Sequence, residues 1–383
     1  MKRKNILIYG ATGSIGDSVL SLIRNNKDQF NIIGMTCSQN IKKLSKLAKE
    51  FNTKNIGIAK FKKEVNYKQY FPNSNIFFGL DEFSDLLKKN CDLIILAISG
   101  SSILNLSLDI AKSGKTVGIA NKECIVSLGN IIFNLAELNK TKIIPLDSEH
   151  NSIYQLLNNY QYPYESITIT ASGGPFLNKK INDLKNVSVK DALKHPVWKM
   201  GKKISLDSAT MVNKGLELIE ARYFFNLDVD KINILIHPQA IIHGLISFAD
   251  SSMISFMSQP DMRIPISNLL FENKQIIMND LSLDLSIIKT LNFYNVDDKK
   301  FPAVKLAREV AIHGGLAPNG FNYINDKLVN LFIKKKIQFL DIVYFNEVTL
   351  EKYFAKNSNI KEPSVNDIVE FNEWIDKNIY LGE

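Results

Sequence analysis

Asn5-Ile-Leu-Ile-Tyr9 runs straight into Gly10-Ala-Thr-Gly13-Ser-Ile-Gly16, and no other feature of this 383-residue chain restricts its fold so strongly. A short apolar run of this kind predicts a strand. Glycines at every third position after it let the backbone turn tightly and come close to a ligand. A helix opening there offers unpaired N–H groups and the positive end of its dipole. Strand, glycine turn and helix together predict a pyrophosphate site touched by Thr12, Gly13, Ser14 and Ile15. Taken alone, three glycines also suit an ordinary tight turn.

The alternation continues to about residue 150. Strands are expected at 5–9, 31–36, 55–59, 76–78, 92–97, 116–119 and 142–146, and helices at 41–51, 103–113 and 125–139. Such a series predicts a Rossmann-like, doubly wound parallel sheet of α/β class over residues 1–150. From 151 the rhythm changes. A strand at 166–170 leads into a long polar stretch with a lid loop at about 173–202, a helix at 209–225, and strands at 232–236, 242–248 and 253–257. Asp250-Ser251-Ser252 reads as a hairpin turn, so residues 151–275 are expected to form an α+β catalytic domain. Residues 276–299 read as a linker. A C-terminal helical bundle is expected over 300–383, with helices at 301–313, 325–335, 340–354 and 365–379, and with Gly314-Gly315, Pro318 and Pro363 as breakers.

Apolar residues make up 45% and charged residues 22% of the chain, which fits a globular protein, and no segment approaches the ~20 apolar residues of a membrane helix. After Met1-Lys-Arg-Lys the first apolar run is too short for a signal peptide. Cys37, Cys91 and Cys124 are widely spaced, as in a reducing compartment, so a cytoplasmic location is expected. The net charge of +8 comes from lysines spread along the chain with no basic stripe, which argues against nucleic acid and suits steering of an anionic small molecule.

Where an NAD enzyme carries an acid for the ribose 2′-hydroxyl, the second strand ends in Cys37-Ser38-Gln39-Asn40, followed by Lys42 and Lys43. The neutral groups and lysines favour the 2′-phosphate of NADP; the lysines also suit a solvated helix face. Asp147-Ser148-Glu149 follows a strand at the carboxyl edge of the sheet, and Asn213, Lys214 and Glu217 share a helix face at i, i+1 and i+4. Three carboxylates from these segments make an oxygen donor set for magnesium or manganese, with cobalt a further candidate. Each acid alone also suits a solvated or helix-capping role. Ser172-Gly-Gly-Pro175 offers hydroxyl and backbone donors. Trp198 either closes over a ligand or anchors its loop, and His237 and His243 read as packed structural residues.

GATGSIG, ANKE (120–123), PLDSEH (145–150), ASGGPF (171–176), HPVWKMG (195–201), DSATMVNKGLE (207–217) and HPQAIIHG (237–244) follow one another in an order that resembles the 1-deoxy-D-xylulose 5-phosphate reductoisomerase family, over roughly residues 4–320. The resemblance implies a homodimer with an NADPH domain, a catalytic domain with a lid, and a helical bundle. It implies that Asp147, Glu149 and Glu217 hold the metal. Ser148, Ser172, His195, Ser208, Asn213 and Lys214 would bind a sugar-phosphate substrate, with Lys122 and Glu149 at its reacting end. The cofactor would meet Thr12 to Ile15, Asn121, Glu123 and Gly201, with Ser38, Gln39 and Asn40 near its 2′-phosphate. The implied reaction rearranges the carbon skeleton of 1-deoxy-D-xylulose 5-phosphate and reduces it to 2-C-methyl-D-erythritol 4-phosphate. The family often carries a basic residue where this chain has Gln39. Two other classes fit parts of the pattern. A semialdehyde-type NADP dehydrogenase needs a cysteine nucleophile, for which Cys124 is the candidate, and a noncatalytic dinucleotide-sensing protein has no use for the three acids.

Overall fold

The computed structural model describes residues 3–160, 162–198, 201–272, 274, 276–357 and 360–382. The chain divides into two compact units. One comprises Met1–Cys124, Asn130–Asn151 and Asp261–Ile277; the other comprises Ile125–Gly129, Ser152–Pro260 and Met278–Glu383.

Short apolar runs in the amino-terminal part form β1 (Lys4–Tyr9), β2 (Phe30–Cys37), β3 (Asn55–Ile58), β4 (Asn75–Phe78), β5 (Leu93–Leu96), β6 (Thr116–Ile119) and β7 (Lys142–Pro145). All neighbours pair in parallel, in the order β4-β3-β2-β1-β5-β6-β7. Residues 93–96 of β5 are buried throughout, as expected of strands covered on both faces. Strand order reverses between β1 and β5, which opens a crevice at their carboxyl ends where ligands of such sheets bind. The helices between strands are α1 (Ser14–Arg24), α2 (Ile41–Glu50), α3 (Leu104–Ala111), α4 (Lys122–Leu128) and α5 (Asn130–Leu138), and α6 (Ser148–Asn159) follows β7.

The next part holds β8 (Tyr164–Ala171), α7 (Val189–Ala192), α8 (Lys202–Ala209), α9 (Val212–Phe225), β9 (Ile232–Ile236), β10 (Ile242–Phe248) and β11 (Met253–Met257). After α10 (Arg263–Leu270) and α11 (Leu285–Ile288), the two-residue β12 (Tyr294–Asn295) completes a five-stranded sheet in the order β11-β10-β8-β9-β12. Only β8 and β9 pair in parallel in this sheet, so it is mixed. The hairpin expected at Asp250 joins β10 to β11: Ser251 takes φ 68°, and the Asp250 carboxylate accepts from the Ser252 amide at 2.9 Å. Helices α12 (Pro302–His313), α13 (Ala317–Ile333), α14 (Asp341–Phe354) and α15 (Val365–Asn378) end the chain. A capping box of Ser364 and Asp367 starts the last of them.

Four local expectations change. The helix expected over 125–139 is two, α4 and α5, separated at Gly129. That residue takes φ 48°, and a Cβ on it would meet the Tyr223 ring at 2.7 Å. The helix expected over 209–225 likewise breaks at Met211, whose φ of 63° ends α8 and starts α9. Pro318 starts α13 instead of interrupting the chain, because the first helical turn needs no proline N–H. Finally, α10 lies in a stretch for which no element was expected, with Pro265 in its first turn, where a proline N–H is not needed. It packs on α1, and Phe271 just beyond it meets Phe30 edge-on at 5.3 Å.

Candidate functional site

The glycine turn is built as its spacing requires. Gly10 leaves β1 at φ 94°, and a Cβ there would lie 2.5 Å from the Ala97 carbonyl oxygen at the end of β5. Gly16 approaches the Ala11 backbone as closely, with a would-be Cβ 2.5 Å from the Ala11 oxygen. Gly13 caps α1 with extended backbone and no capping side chain, so the first-turn amides of Ser14 and Ile15 remain available to an anion.

At the end of β2, Ser38, Gln39 and Asn40 are all exposed, and the Asn40 side chain accepts from the Lys43 amide at 3.2 Å as the cap of α2. Lys43 donates to the Thr12 carbonyl at 3.0 Å and pairs with Asp17 at 2.7 Å, so this lysine braces the glycine turn. Lys42 is exposed. Asn121 is buried. Its amide donates to the carbonyls of Ile98 (2.7 Å) and Gly100 (3.1 Å), and its oxygen accepts from Cys124 N at 2.6 Å. Glu123 accepts from Gly100 N at 3.1 Å. These two side chains shape the loop after β5.

Because β6 and β7 are parallel neighbours, the residues following them emerge at the same sheet edge. Lys122, which opens α4, there forms an ion pair with Asp147, which follows β7. The Glu149 amide donates to Asp147 Oδ1 at 3.3 Å, and the Ser148 hydroxyl donates to Glu149 Oε2 at 2.5 Å. Asn151 fastens the turn by donating its backbone N–H to the Asp147 carbonyl and its amide to the Pro145 carbonyl. His150, wholly buried, sets Nδ1 3.7 Å from Asp147 Oδ1. From sequence alone His150 carries no assigned role, although its i, i+3 spacing from Asp147 brings the two side chains to one helix face.

In the other unit, α9 presents Asn213, Lys214 and Glu217 on one face as expected. Asn213 and Lys214 both donate to the Glu217 carboxylate, and Lys214 and Glu217 are buried. A buried carboxylate that accepts from two donors, one of them cationic, is held in one rotamer. Ser172 follows β8, and its hydroxyl lies 3.2 Å from His195 Nε2 and accepts from Gly174 N at 3.3 Å. Gly174, at φ 64°, lies against α8: a Cβ would sit 2.7 Å from the Ser208 carbonyl oxygen. Gly201 caps α8 and is exposed, Trp198 is half-buried, and Lys199 and Met200 of the expected lid lie outside the described residues.

His195 Nδ1 accepts from the amides of Val197 (3.2 Å) and Trp198 (2.8 Å). That nitrogen therefore carries no proton, and Nε2–H faces Ser172. Burial pushes the ring's pKa from 6.5 down to about 4. An unfolded histidine takes up its proton near pH 6.5, so between that pH and about 4 the unfolded chain binds more protons. Stability conferred by the neutral ring is full above pH 6.5 and declines as pH falls towards 4. Urea midpoints at pH 7 and pH 5 should accordingly fall further for the native chain than for His195→Gln; equal falls would contradict this protonation state.

Cys124 is fully buried, its thiol directed at the Asn121 carbonyl at 3.2 Å, so it is not placed to attack a substrate. His237 and His243 are packed as expected; His237 stacks on Phe293 at 4.7 Å. Among the described residues no helix is long and apolar enough to cross a membrane.

The arrangement has close relatives. Family models described as 1-deoxy-D-xylulose 5-phosphate reductoisomerase, its C-terminal domain, and the DXP reductoisomerase C-terminal domain match residues 6–129, 143–225 and 257–378. A 1-deoxy-D-xylulose 5-phosphate reductoisomerase from Caldanaerobacter subterraneus subsp. tengcongensis is 38% identical, with 96% of each chain covered. One from a Sulfurihydrogenibium species is 40% identical, covering 98% of this chain and 96% of the relative. Among solved structures, the reductoisomerase from Zymomonas mobilis in complex with NADPH superposes with a TM-score of 0.89 at 35% identity, covering 99% of this chain and 98% of that one. A reductoisomerase in complex with NADPH, fosmidomycin and magnesium gives 0.89 at 34% identity, covering 98% and 97%. With three family models spanning most of its length and relatives matched almost end to end, the chain belongs to the 1-deoxy-D-xylulose 5-phosphate reductoisomerase family.

Proposed function

We propose that this chain converts 1-deoxy-D-xylulose 5-phosphate to 2-C-methyl-D-erythritol 4-phosphate, with NADPH as reductant and a divalent cation, magnesium or manganese, as its metal. The observation that carries the reading is the donor set. Asp147 and Glu149 sit on one short turn after β7, and Glu217 is a buried carboxylate on α9, so the three acids that the family resemblance assigns to the metal offer only oxygen donors. All-oxygen, anionic ligation of this kind fits a hard cation.

When bound, such a cation polarises carbonyl and hydroxyl oxygens and stabilises negative charge that develops on them, and NADPH supplies the hydride. The chain's own groups do the rest. Lys122, paired with Asp147, balances charge at the reacting end and can relay a proton there. Ser172, His195, Ser208, Asn213 and Lys214 take the phosphate, whose charge suits the amino end of α9. The neutral His195 ring donates Nε2–H to Ser172, which turns the serine's own proton outward as a donor. The segment 173–202 closes over the substrate and excludes water from the reactive intermediate.

The glycine turn and the amides of Ser14 and Ile15 take the pyrophosphate of the cofactor, and Ser38, Gln39 and Asn40, exposed beside Lys42, take its 2′-phosphate. Asn121, Glu123 and Gly201 complete the cofactor contacts. In this reading residues 1–150 serve the cofactor, 151–275 the chemistry, and 300–383 form a C-terminal helical domain, in a cytoplasmic homodimer. Exposed Met253 and Tyr294 on the two edge strands of the mixed sheet are consistent with assembly.

Oxidation of NADPH, followed by absorbance with 1-deoxy-D-xylulose 5-phosphate present, tests the proposal. Turnover that requires added magnesium or manganese is expected. A chain that leaves NADPH unoxidised under these conditions does not have this function.

A further inference from the structure

We infer that Asn325, on a helix remote in sequence from every residue assigned above, is a positioning residue that sets the Ser208 hydroxyl for the substrate's phosphate; the inference rests on the function just proposed. The argument begins with Asp207, which precedes Ser208 near the end of α8. Its carboxylate is 2% exposed, and a buried carboxylate must be satisfied by donors. Asn325 Nδ2 on α13 donates to Asp207 Oδ1 at 2.8 Å, and Lys203 Nζ, one turn back on α8, approaches Asp207 Oδ2 at 3.1 Å. Lys203 also pairs with Asp326 at 2.9 Å, so two successive residues of α13 grip α8. Asn325 is fully buried and its Oδ1 has no hydrogen-bond partner, so the side chain makes its bond to Asp207 and nothing else.

The other side of Ser208 is fixed as well. Its carbonyl oxygen faces Gly174 so closely that no Cβ fits between them, and Gly174 N in turn donates to Ser172. Two hydroxyls proposed to share the phosphate are therefore linked through a backbone contact, and the Asn325 bond holds the end of α8 against that contact. Without it, Asp207 would retain Lys203 on one oxygen only. The last turn of α8, which precedes the left-handed Met211, would then be free to shift Ser208 away from Ser172. The phosphate takes no part in bond making, so misplacing its ligand removes uniform binding and raises KM more than it lowers kcat.

The test compares the wild-type chain with Asn325→Leu, which matches the size but donates nothing, and Asn325→Asp, which donates only when protonated. KM for 1-deoxy-D-xylulose 5-phosphate should rise about tenfold or more in Asn325→Leu, with kcat within about threefold and KM for NADPH unchanged. In Asn325→Asp, a carboxylate facing Asp207, with Lys203 and Asp326 as the neighbouring charges, should raise KM at pH 8. The ratio to wild type should shrink as pH falls, because burial beside Asp207 raises the affinity of the new acid for a proton and its protonated form restores the bond. A purely structural asparagine would lower thermal stability and leave these ratios flat. Unchanged KM in Asn325→Leu, or a ratio for Asn325→Asp that ignores pH, overturns the inference; if Asn325→Leu does not fold, the second variant decides alone. A wild-type chain idle on this substrate overturns the functional reading itself, and this inference with it.

Discussion

Replacing Glu217 by Gln is expected to lower kcat/KM by ~10³-fold or more, because a ligand worth several kcal/mol of charge stabilisation loses its charge while keeping its shape. NADPH should bind as before, since the glycine turn lies on other segments. The effect is large because Glu217 is only 1% exposed and is the acceptor for both Asn213 and Lys214, so no water or neighbouring acid can take its place readily. Gln keeps one carbonyl acceptor for these donors but leaves the Lys214 ammonium without that countercharge, and a moderate fall in melting temperature should accompany the lost activity. Steady-state kinetics with a parallel measurement of NADPH affinity separates the two effects. Near-native turnover in Glu217→Gln would remove Glu217 from the chemistry.

The second large effect is expected at Gly10. An alanine there must adopt φ 94° and place its Cβ 2.5 Å from the Ala97 oxygen and 2.8 Å from its carbon, both backbone atoms at the end of β5 that cannot move alone. Strain of this kind costs about 1–3 kcal/mol before the clash is added, so Gly10→Ala should unfold at markedly lower urea and lose NADPH affinity together. Gly13 is the control. Its backbone is extended, and its would-be Cβ meets only the Gly10 oxygen at 3.5 Å, an ordinary contact. Gly13→Ala should retain stability within about 1 kcal/mol yet weaken NADPH binding, because what it obstructs is the approach of the ligand and not the fold. Equal stability losses at the two positions would mean that the turn is structural only.

These two sites also mark how far the sequence can be read. The strand–glycine–helix opening was legible because one local pattern dictates both a positive φ and a helix amino end, and the seven strands of the parallel sheet follow from short apolar runs at steady intervals. The face shared by Asn213, Lys214 and Glu217 was legible for the same reason, being set by helical spacing alone. Breaks that depend on tertiary contacts were not. Gly129 interrupts a well-patterned helix because the Tyr223 ring, far along the chain, occupies the space beside it, and Met211 adopts a left-handed turn that no local residue type announces. Pro318 reads as a stop although it begins a helix. The bond from Asn325 to Asp207 spans 118 positions, and neither residue type in isolation suggests a partner so distant.

Lys43 carries a lesson about charge. From sequence it suits either a phosphate or a solvated face, yet it braces Thr12 and Asp17. Gln39 and its exposed neighbours are left as the groups that would distinguish NADPH from NADH.

Manganese binding, followed by the electron paramagnetic resonance of the free ion, probes the proposed metal centre without relying on turnover. With Asp147, Glu149 and Glu217 as its ligands, wild-type chain should take up one Mn²⁺ and Glu217→Gln should bind it at least about tenfold more weakly. Equal affinity in the two proteins would contradict the shared carboxylate site on which the proposed reaction depends.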